Sequence, residues 1–268
     1  MKNNPLISII LCTFNWGGNL QFLKESIESV LNQSFKNFEL IIINDCSTNM
    51  EVEKIILEYK EKDNRIIYLF NKINLKQAKS RNKWMKIAKW KYISFIDDDD
   101  IWIDEKKLEK QIDYMETHGN VGICWTFWDI IDMNGNIILQ EKCRDSDKKI
   151  RNTILQANQF CTSSVMIIND ENFRFDEKFS WFSEDYELWC RIWTKYKFYN
   201  IPFTCINYRI NQYWTIRNNW TKMEINAFRI FFKYFFKYPN WIKAFILRIW
   251  KIILPSKLTS FLINKIKK

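Results

Sequence analysis

Four short apolar runs alternate with three amphipathic stretches over the first hundred residues, and nothing else in the chain restricts its fold as tightly. The runs occupy 6–12, 38–44, 65–70 and 92–96, and isoleucine, leucine and aromatic residues dominate them. The stretches between them, 20–32, 51–62 and 76–89, carry apolar residues at helical spacing. Runs that are apolar on both faces need cover on both sides, so the pattern predicts a parallel sheet sandwiched between helices. Beyond residue 100 a helix is expected at 105–117, strands at 121–129 and 136–141, and a polar loop over 142–152. Strands at 159–168 and 198–207 then flank a helix at 184–196.

Several classes of function are excluded by what is missing. The chain has only five glycines, with neither a G-x-G-x-x-G fingerprint nor a P-loop. Its seven cysteines include no C-x-x-C pair, which argues against a disulfide framework or a zinc site and for reduced packing residues in a cytosolic compartment. His118, the single histidine, precedes Gly119 and reads as a cap or surface residue at a helix end. No segment reaches the roughly 18 uninterrupted apolar residues of a membrane span, and the run at 6–12 is too short for a signal peptide.

Chemistry concentrates where the fourth run ends. Asp97, Asp98, Asp99 and Asp100 follow it directly, placing several anionic oxygens at one point of the sheet edge. Such crowding is costly unless a positive charge binds, and magnesium or manganese suits oxygen ligands. Ligands of open α/β sheets gather at the carboxyl ends of strands, which favours a site over a solvated turn. Asp100 is also placed to cap the helix that follows. Asp45 to Thr48 have the composition of a helix cap before Glu51. Glu184 and Asp185 open a helix, where acids are favoured by the helix dipole in any protein.

Five motifs in order resemble the family 2 glycosyltransferases, inverting enzymes of the GT-A fold. They are the strand and turn 7–15, the segment 39–48, Ser80-Arg81-Asn82, the aspartate run 95–102, and 182–191 around Glu184-Asp185. The resemblance covers roughly 5–210 and implies an α/β GT-A domain over 1–215 with a mixed, mostly parallel sheet, followed by a helical tail over 216–268. It implies transfer of a sugar from a nucleotide-sugar donor, expected to be a UDP-sugar, to a saccharide or lipid-linked saccharide acceptor in surface polysaccharide or lipooligosaccharide synthesis. A noncatalytic nucleotide-sugar-binding or saccharide-binding protein of the same fold is the alternative.

The resemblance also distributes roles. Donor contacts fall to Thr13, Asn15, Asp45, Lys76, Arg81, Asp97 and Asp98, with Asp45 accepting the imide N–H of uracil. Asp99, with Asp97, would hold Mn2+ or Mg2+. Asp185 would be the general base, Glu184 would orient the acceptor or its loop, and Trp181 and Phe182 are either sugar-stacking or core aromatics. The chain departs from the family pattern at Asn44, at Cys46 in place of glycine, before the Ser80 segment where Asn74-Leu75-Lys76-Gln77 carries no glycine, and at Asn211 in place of the histidine of Tyr-Arg-x-His.

Charge separates the tail from the rest. Residues 217–268 hold 12 Lys or Arg against the single acid Glu224, so the body carries −1 of the net +10. Lys222, Asn226, Arg229, Lys233 and Lys237 recur every three or four residues among aromatics, and Lys243, Arg248 and Lys251 repeat the design. Helices of this kind lie along anionic membrane surfaces, so the tail predicts a peripheral protein on the inner face of the cell membrane with no nucleic-acid partner. A hairpin packed onto the catalytic domain is the competing arrangement.

Overall fold

The computed structural model describes residues 7–14, 20–88, 90–141, 146–179, 182–210 and 216–253. Asn15, Trp181 and Asn211 lie outside them. The first half contains β1 (Ile7–Thr13), α1 (Gln21–Leu31), β2 (Phe38–Asn44), α2 (Met50–Lys62), β3 (Ile66–Phe70), α3 (Lys76–Met85) and β4 (Tyr92–Asp97). These strands pair in parallel in the order β3-β2-β1-β4. Every residue of β1 is buried, as expected for a central strand covered on both faces. Burial of Phe22, Leu23, Ile27 and Val30 seats α1 on the sheet.

The second half contains β5 (Ile101–Trp102), α4 (Lys107–Thr117), β6 (Val121–Ile131), β7 (Ile137–Glu141), α5 (Asp147–Arg151), β8 (Met166–Ile168), α6 (Glu184–Ile192) and β9 (Lys197–Arg209). The sheet continues from β4 through β8, β6 and β9 to β5, with β7 paired to β6. Pairings of β8 with β4 and β6 are antiparallel, and β6 with β9 is parallel, so the sheet is mixed. His118 is the C-cap of α4 and stacks on Tyr114 with ring centres 4.1 Å apart. The six described cysteines are free.

Two stretches differ from the sequence pattern. The strand expected over 159–168 is a 3-10 turn at Thr162–Ser164 followed by only three strand residues. Hydroxyl side chains there compete for the backbone: Ser164 Oγ donates to Cys161 O at 2.7 Å, tightening the turn. The loop expected over 142–152 includes α5, whose Asp147 accepts from Arg151 one turn on and from Phe198 N at 3.0 Å. The two-residue strand β5 is too short to leave a periodic signal.

The tail forms α7 (Ile216–Tyr234) and α8 (Trp241–Ile253), joined by a 3-10 turn at Phe235–Lys237. They pack on the domain along α6. Tyr238 stacks on Trp193 at 3.8 Å, while Ile230, Phe231 and Tyr234 are buried. The polar stripe is divided, part of it turning inward where α6 and residues 155–156 offer acceptors. Lys233 pairs with Glu187 at 2.6 Å, Asn226 Nδ2 donates to Phe182 O at 2.7 Å, and Arg248 is 1% exposed.

Candidate active site

The carboxyl ends of β1, β2 and β4 lie side by side. Thr13 is in register with Asn44, Cys12 is in register with Asp97, and Asp45 N donates to Thr13 O at 2.9 Å. Thr13 is buried, and its Oγ1 has no hydrogen-bond partner among the described residues. A buried hydroxyl left open at a sheet edge is a vacant donor and acceptor for a ligand.

Asp45 accepts three hydrogen bonds: Oδ1 from Asn71 Nδ2 at 2.8 Å and Leu75 N at 3.0 Å, Oδ2 from Lys76 N at 2.8 Å. It therefore caps α3 from a neighbouring strand, while α2 is capped by Asn49, whose Oδ1 accepts from Glu51 N at 3.1 Å. The cap read from 45–48 thus belongs to a different helix. Among the described residues Asp45 Oδ2 accepts that one bond, so it can accept a second.

Within the aspartate run the four side chains have different surroundings. Asp97 Oδ1 accepts from Arg81 Nη2 at 2.5 Å and Gln77 Nε2 at 3.4 Å. Arg81 is 2% exposed and lies over the rings of Phe95 and Phe175 at 5.7 and 5.5 Å. Burial opposes its charge, but Asp97, Glu184 and Asp185 outweigh that and hold it protonated. Asp98 is buried and Asp99 half-buried. Burial, then repulsion from Asp100, Asp98 and Asp97, pushes the Asp99 carboxyl well above the usual range. That excess of negative charge is the condition a divalent cation relieves.

Asp100 does not cap the next helix. It is fully buried, accepts from Ser163 Oγ and from Arg209 N at 3.0 Å, and its carbonyl accepts from Ser26 Oγ at 2.5 Å. It is the knot that ties the run to α1, β9 and the 162–164 turn. Arg209 completes the tie, donating from Nε to Asp99 O at 3.0 Å and pairing with Glu25 at 2.8 Å. Among the described residues no three acidic, histidine or cysteine side chains converge as a ready-made cation cage. The residues fit a cation in another way, since magnesium-type ions are held by one or two carboxylates when phosphate oxygens complete the shell.

Glu184 and Asp185 begin α6 after Ser183, whose φ of 87° turns the chain sharply into the helix. Glu184 is buried, and burial, then the charge of Asp185, raises its carboxyl to about 7. Asp185 is also raised by burial, against the opposing pull of Tyr186 N, Arg81, Asn158 and Thr162. Its Oδ2 accepts from Asn158 Nδ2 at 3.0 Å and Thr162 Oγ1 at 3.3 Å, and its Oδ1 from Tyr186 N at 2.7 Å. The next residue, Ser163, accepts from Asp97 N at 3.0 Å and donates to Asp100. One 3-10 turn thus bridges the two acidic centres.

Asn158, Thr162, Ser163 and Arg209 escape the sequence reading. The hydroxyl triplet 162–164 inside an otherwise apolar run is the signal that marks three of the turn's polar positions. Lys76 lies at the start of α3 with φ of 68°, and Phe182 is half-buried where Asn226 holds its carbonyl.

Residues 8–175 match the family described as Glycosyl transferase family 2. An uncharacterized glycosyltransferase, MJ1057, of Methanocaldococcus jannaschii is 33% identical over 281 aligned positions, covering 98% of this chain and 94% of that protein. The UDP-Glc:alpha-D-GlcNAc-diphosphoundecaprenol beta-1,3-glucosyltransferase WfgD of Escherichia coli is 32% identical over 215 positions, 77% of this chain and 78% of that one. Among solved structures, the mannosyltransferase PcManGT from Pyrobaculum calidifontis, in complex with GDP-Man and Mn2+, superposes with a TM-score of 0.66. Its identity is 12%, with 98% of this chain and 80% of that one covered, so the likeness is one of fold.

Proposed function

The chain belongs to glycosyl transferase family 2, and on that premise we propose an inverting, metal-dependent enzyme that moves a sugar from a UDP-sugar to a saccharide or lipid-linked saccharide acceptor. Its fold is that of the GT-A glycosyltransferases, and its relatives include proteins named for teichuronic acid and colanic acid biosynthesis. The undecaprenol-linked acceptor in the name of WfgD and the exposed apolar face of α7 and α8 both favour a lipid-linked acceptor.

In this reading the donor lies across the carboxyl ends of β1, β2 and β4. Thr13 Oγ1 and Asn15 serve the nucleoside, and the open position on Asp45 Oδ2 accepts the uracil imide N–H. Lys76 and Arg81 face donor oxygens from α3, with Arg81 also fixing Asp97. Asp97 and Asp98 would contact the ribose or water held by the cation, and Asp99, assisted by Asp97, would hold Mn2+ or Mg2+. When bound, that cation offsets the charge that develops as the nucleoside diphosphate departs.

Inversion requires the acceptor hydroxyl to attack the face opposite the leaving group, and a base must take its proton. Asp185 has that role. Hydrogen bonds from Asn158 and Thr162 fix Oδ2, and Oδ1, which among the described residues accepts only from Tyr186 N, can take the proton; burial raises the proton affinity of the carboxylate, as a base requires. Glu184, buried beside it, orients the acceptor or its loop, and Phe182, with Trp181 outside the described residues, is assigned to the acceptor sugar. The observation that carries this reading is the 162–163 bridge, because consecutive residues bond the proposed base and the aspartate run.

Asp99→Asn and Asp185→Asn are each expected to lower transfer at least about a thousandfold, measured as nucleoside diphosphate released in the presence of acceptor. Asp185→Asn should keep donor affinity, whereas Asp99→Asn should lose the manganese dependence of UDP binding. Transfer retained by either variant rejects its assigned role. Donor binding without turnover by the unaltered chain would favour a noncatalytic binding protein.

A further inference from the structure

A buried arginine of the tail bonds two elements that flank Asp185. Arg248, on α8, is 1% exposed, and burying a guanidinium is expensive unless its donors are used. Its Nε donates to Leu155 O at 2.8 Å, its Nη2 to Tyr186 Oη at 2.7 Å, and its Nη1 lies 3.5 Å from Glu224 Oε2. Tyr186 in turn donates to Ile154 O at 2.6 Å, and Lys251 Nζ donates to Gln156 O at 3.0 Å. Three consecutive carbonyls, 154 to 156, are therefore gripped by α6 and α8.

Those carbonyls begin the segment that carries Asn158 and Thr162, the two side chains that bond Asp185 Oδ2. Tyr186, the other partner of Arg248, directly follows Asp185 and supplies the N–H that Oδ1 accepts. The guanidinium fork thus joins the two elements between which Asp185 is aimed. We propose that Arg248 is a positioning residue for Asp185, so that the α7–α8 tail is part of the catalytic apparatus through this fork. The inference rests on the assignment of Asp185 as the base.

A fork that only glues the tail to the domain would change stability and leave the chemistry of the folded enzyme alone. A positioning fork changes the turnover step, because small displacements of a catalytic group cost rate even at full substrate occupancy. Losing the grip on 154–156 also loosens the hydrogen bonds from Asn158 and Thr162, which oppose the protonation of Asp185. The charged groups facing Asp185 are Arg81 from α3 and the adjacent Glu184, and neither is altered by the change.

The test uses the full chain with Arg248→Met, and with Tyr186→Phe, which removes one oxygen from the fork and keeps the ring. Asp185→Asn is the control, and UDP with manganese is the binding probe. For both fork variants the expected result is a kcat lower by about tenfold or more with unchanged donor KM and UDP affinity. The acidic limb of the kcat profile should move to higher pH, and amides 157–163 should exchange with deuterium faster. Tyr186→Phe carries the test if Arg248→Met does not fold. If folded variants keep the wild-type kcat, pH profile and exchange while Asp185→Asn is inactive, the positioning role is rejected and the base assignment stands. If Asp185→Asn is active, the base assignment itself falls.

Discussion

Four described residues, Cys46, Lys76, Ser183 and Asn240, hold left-handed backbone where glycine would be the easy choice, and two of them flank the proposed donor site. Cys46 has φ of 69° and Lys76 φ of 68°, left-handed backbone that costs an L residue about 1–2 kcal/mol. Cys46 stands where the resemblance implies glycine and Lys76 lies in the 74–77 stretch where it implies one, so this chain makes both left-handed turns without the residue that makes them cheap. Asn44 is accommodated in a similar way, since its Oδ1 accepts from Ser47 N at 2.8 Å and holds the same turn. The motifs were legible because they are consecutive residues; that Asp45 caps α3 was not, because the capped amides lie 30 residues away.

Glu184 supplies the prediction at this scale. Its carboxyl ionises near 7 in the folded chain and near 4.5 when exposed. Between these values the folded state binds more protons than the unfolded one, so stability falls as pH rises. The loss from this one group amounts to a few kcal/mol, about 3 at most, and is complete somewhat above pH 7. Glu184→Gln should flatten the fall in Tm between pH 5 and 8 and leave the variant more stable than the parent at pH 8. Parallel Tm–pH curves for the two proteins would show that Glu184 does not carry this burden.

Among elements, the turn at 162–164 has the largest consequence for its length. Ser163 Oγ accepts from Asp97 N and donates to Asp100, whose buried carboxylate has few other donors. Ser163→Ala should destabilise the fold by about 1–3 kcal/mol, read from urea unfolding, and should weaken the manganese dependence of UDP binding. An unchanged midpoint with unchanged manganese dependence would mean that the turn does not organise the aspartate run. The sequence pattern reads this segment as strand because residues 160–168 are mostly apolar. Each hydroxyl that overrides the pattern has its own acceptor: Asp185 for Thr162, Asp100, more than 60 residues earlier, for Ser163, and the Cys161 carbonyl for Ser164.

At the scale of the molecule, the tail has two chemically different faces. Its inner face bonds α6 and residues 154–156, which composition alone could not distinguish from a stripe facing lipid headgroups. Its outer face exposes Phe232, Phe236, Trp241, Ile242, Ile246 and Trp250, with Phe236 82% accessible, beside exposed Arg229, Lys237 and Lys243. No described helix is long and apolar enough to cross a membrane. Apolar bulk ringed by cations fits an anionic bilayer surface. The protein is expected to co-sediment with phosphatidylglycerol-containing vesicles and not with phosphatidylcholine alone, and to be released by about 0.5 M salt. Lys237→Glu with Lys243→Glu should weaken that binding at least about fivefold. Binding to neither vesicle type would remove the membrane from this picture, and equal binding to both would remove the requirement for anionic lipid.

By itself the sequence determined the parallel half of the sheet, the carboxylates at its edge and the concentration of charge in the tail. Each of these follows from local periodicity or from residues adjacent in the chain. Only the tertiary structure decided which acids share a hydrogen-bonded turn, which helix Asp45 caps, and which face of the tail meets the domain. Those outcomes depend on donors and acceptors that meet across tens to more than a hundred residues, where buried polar groups must find partners wherever the packed chain brings them.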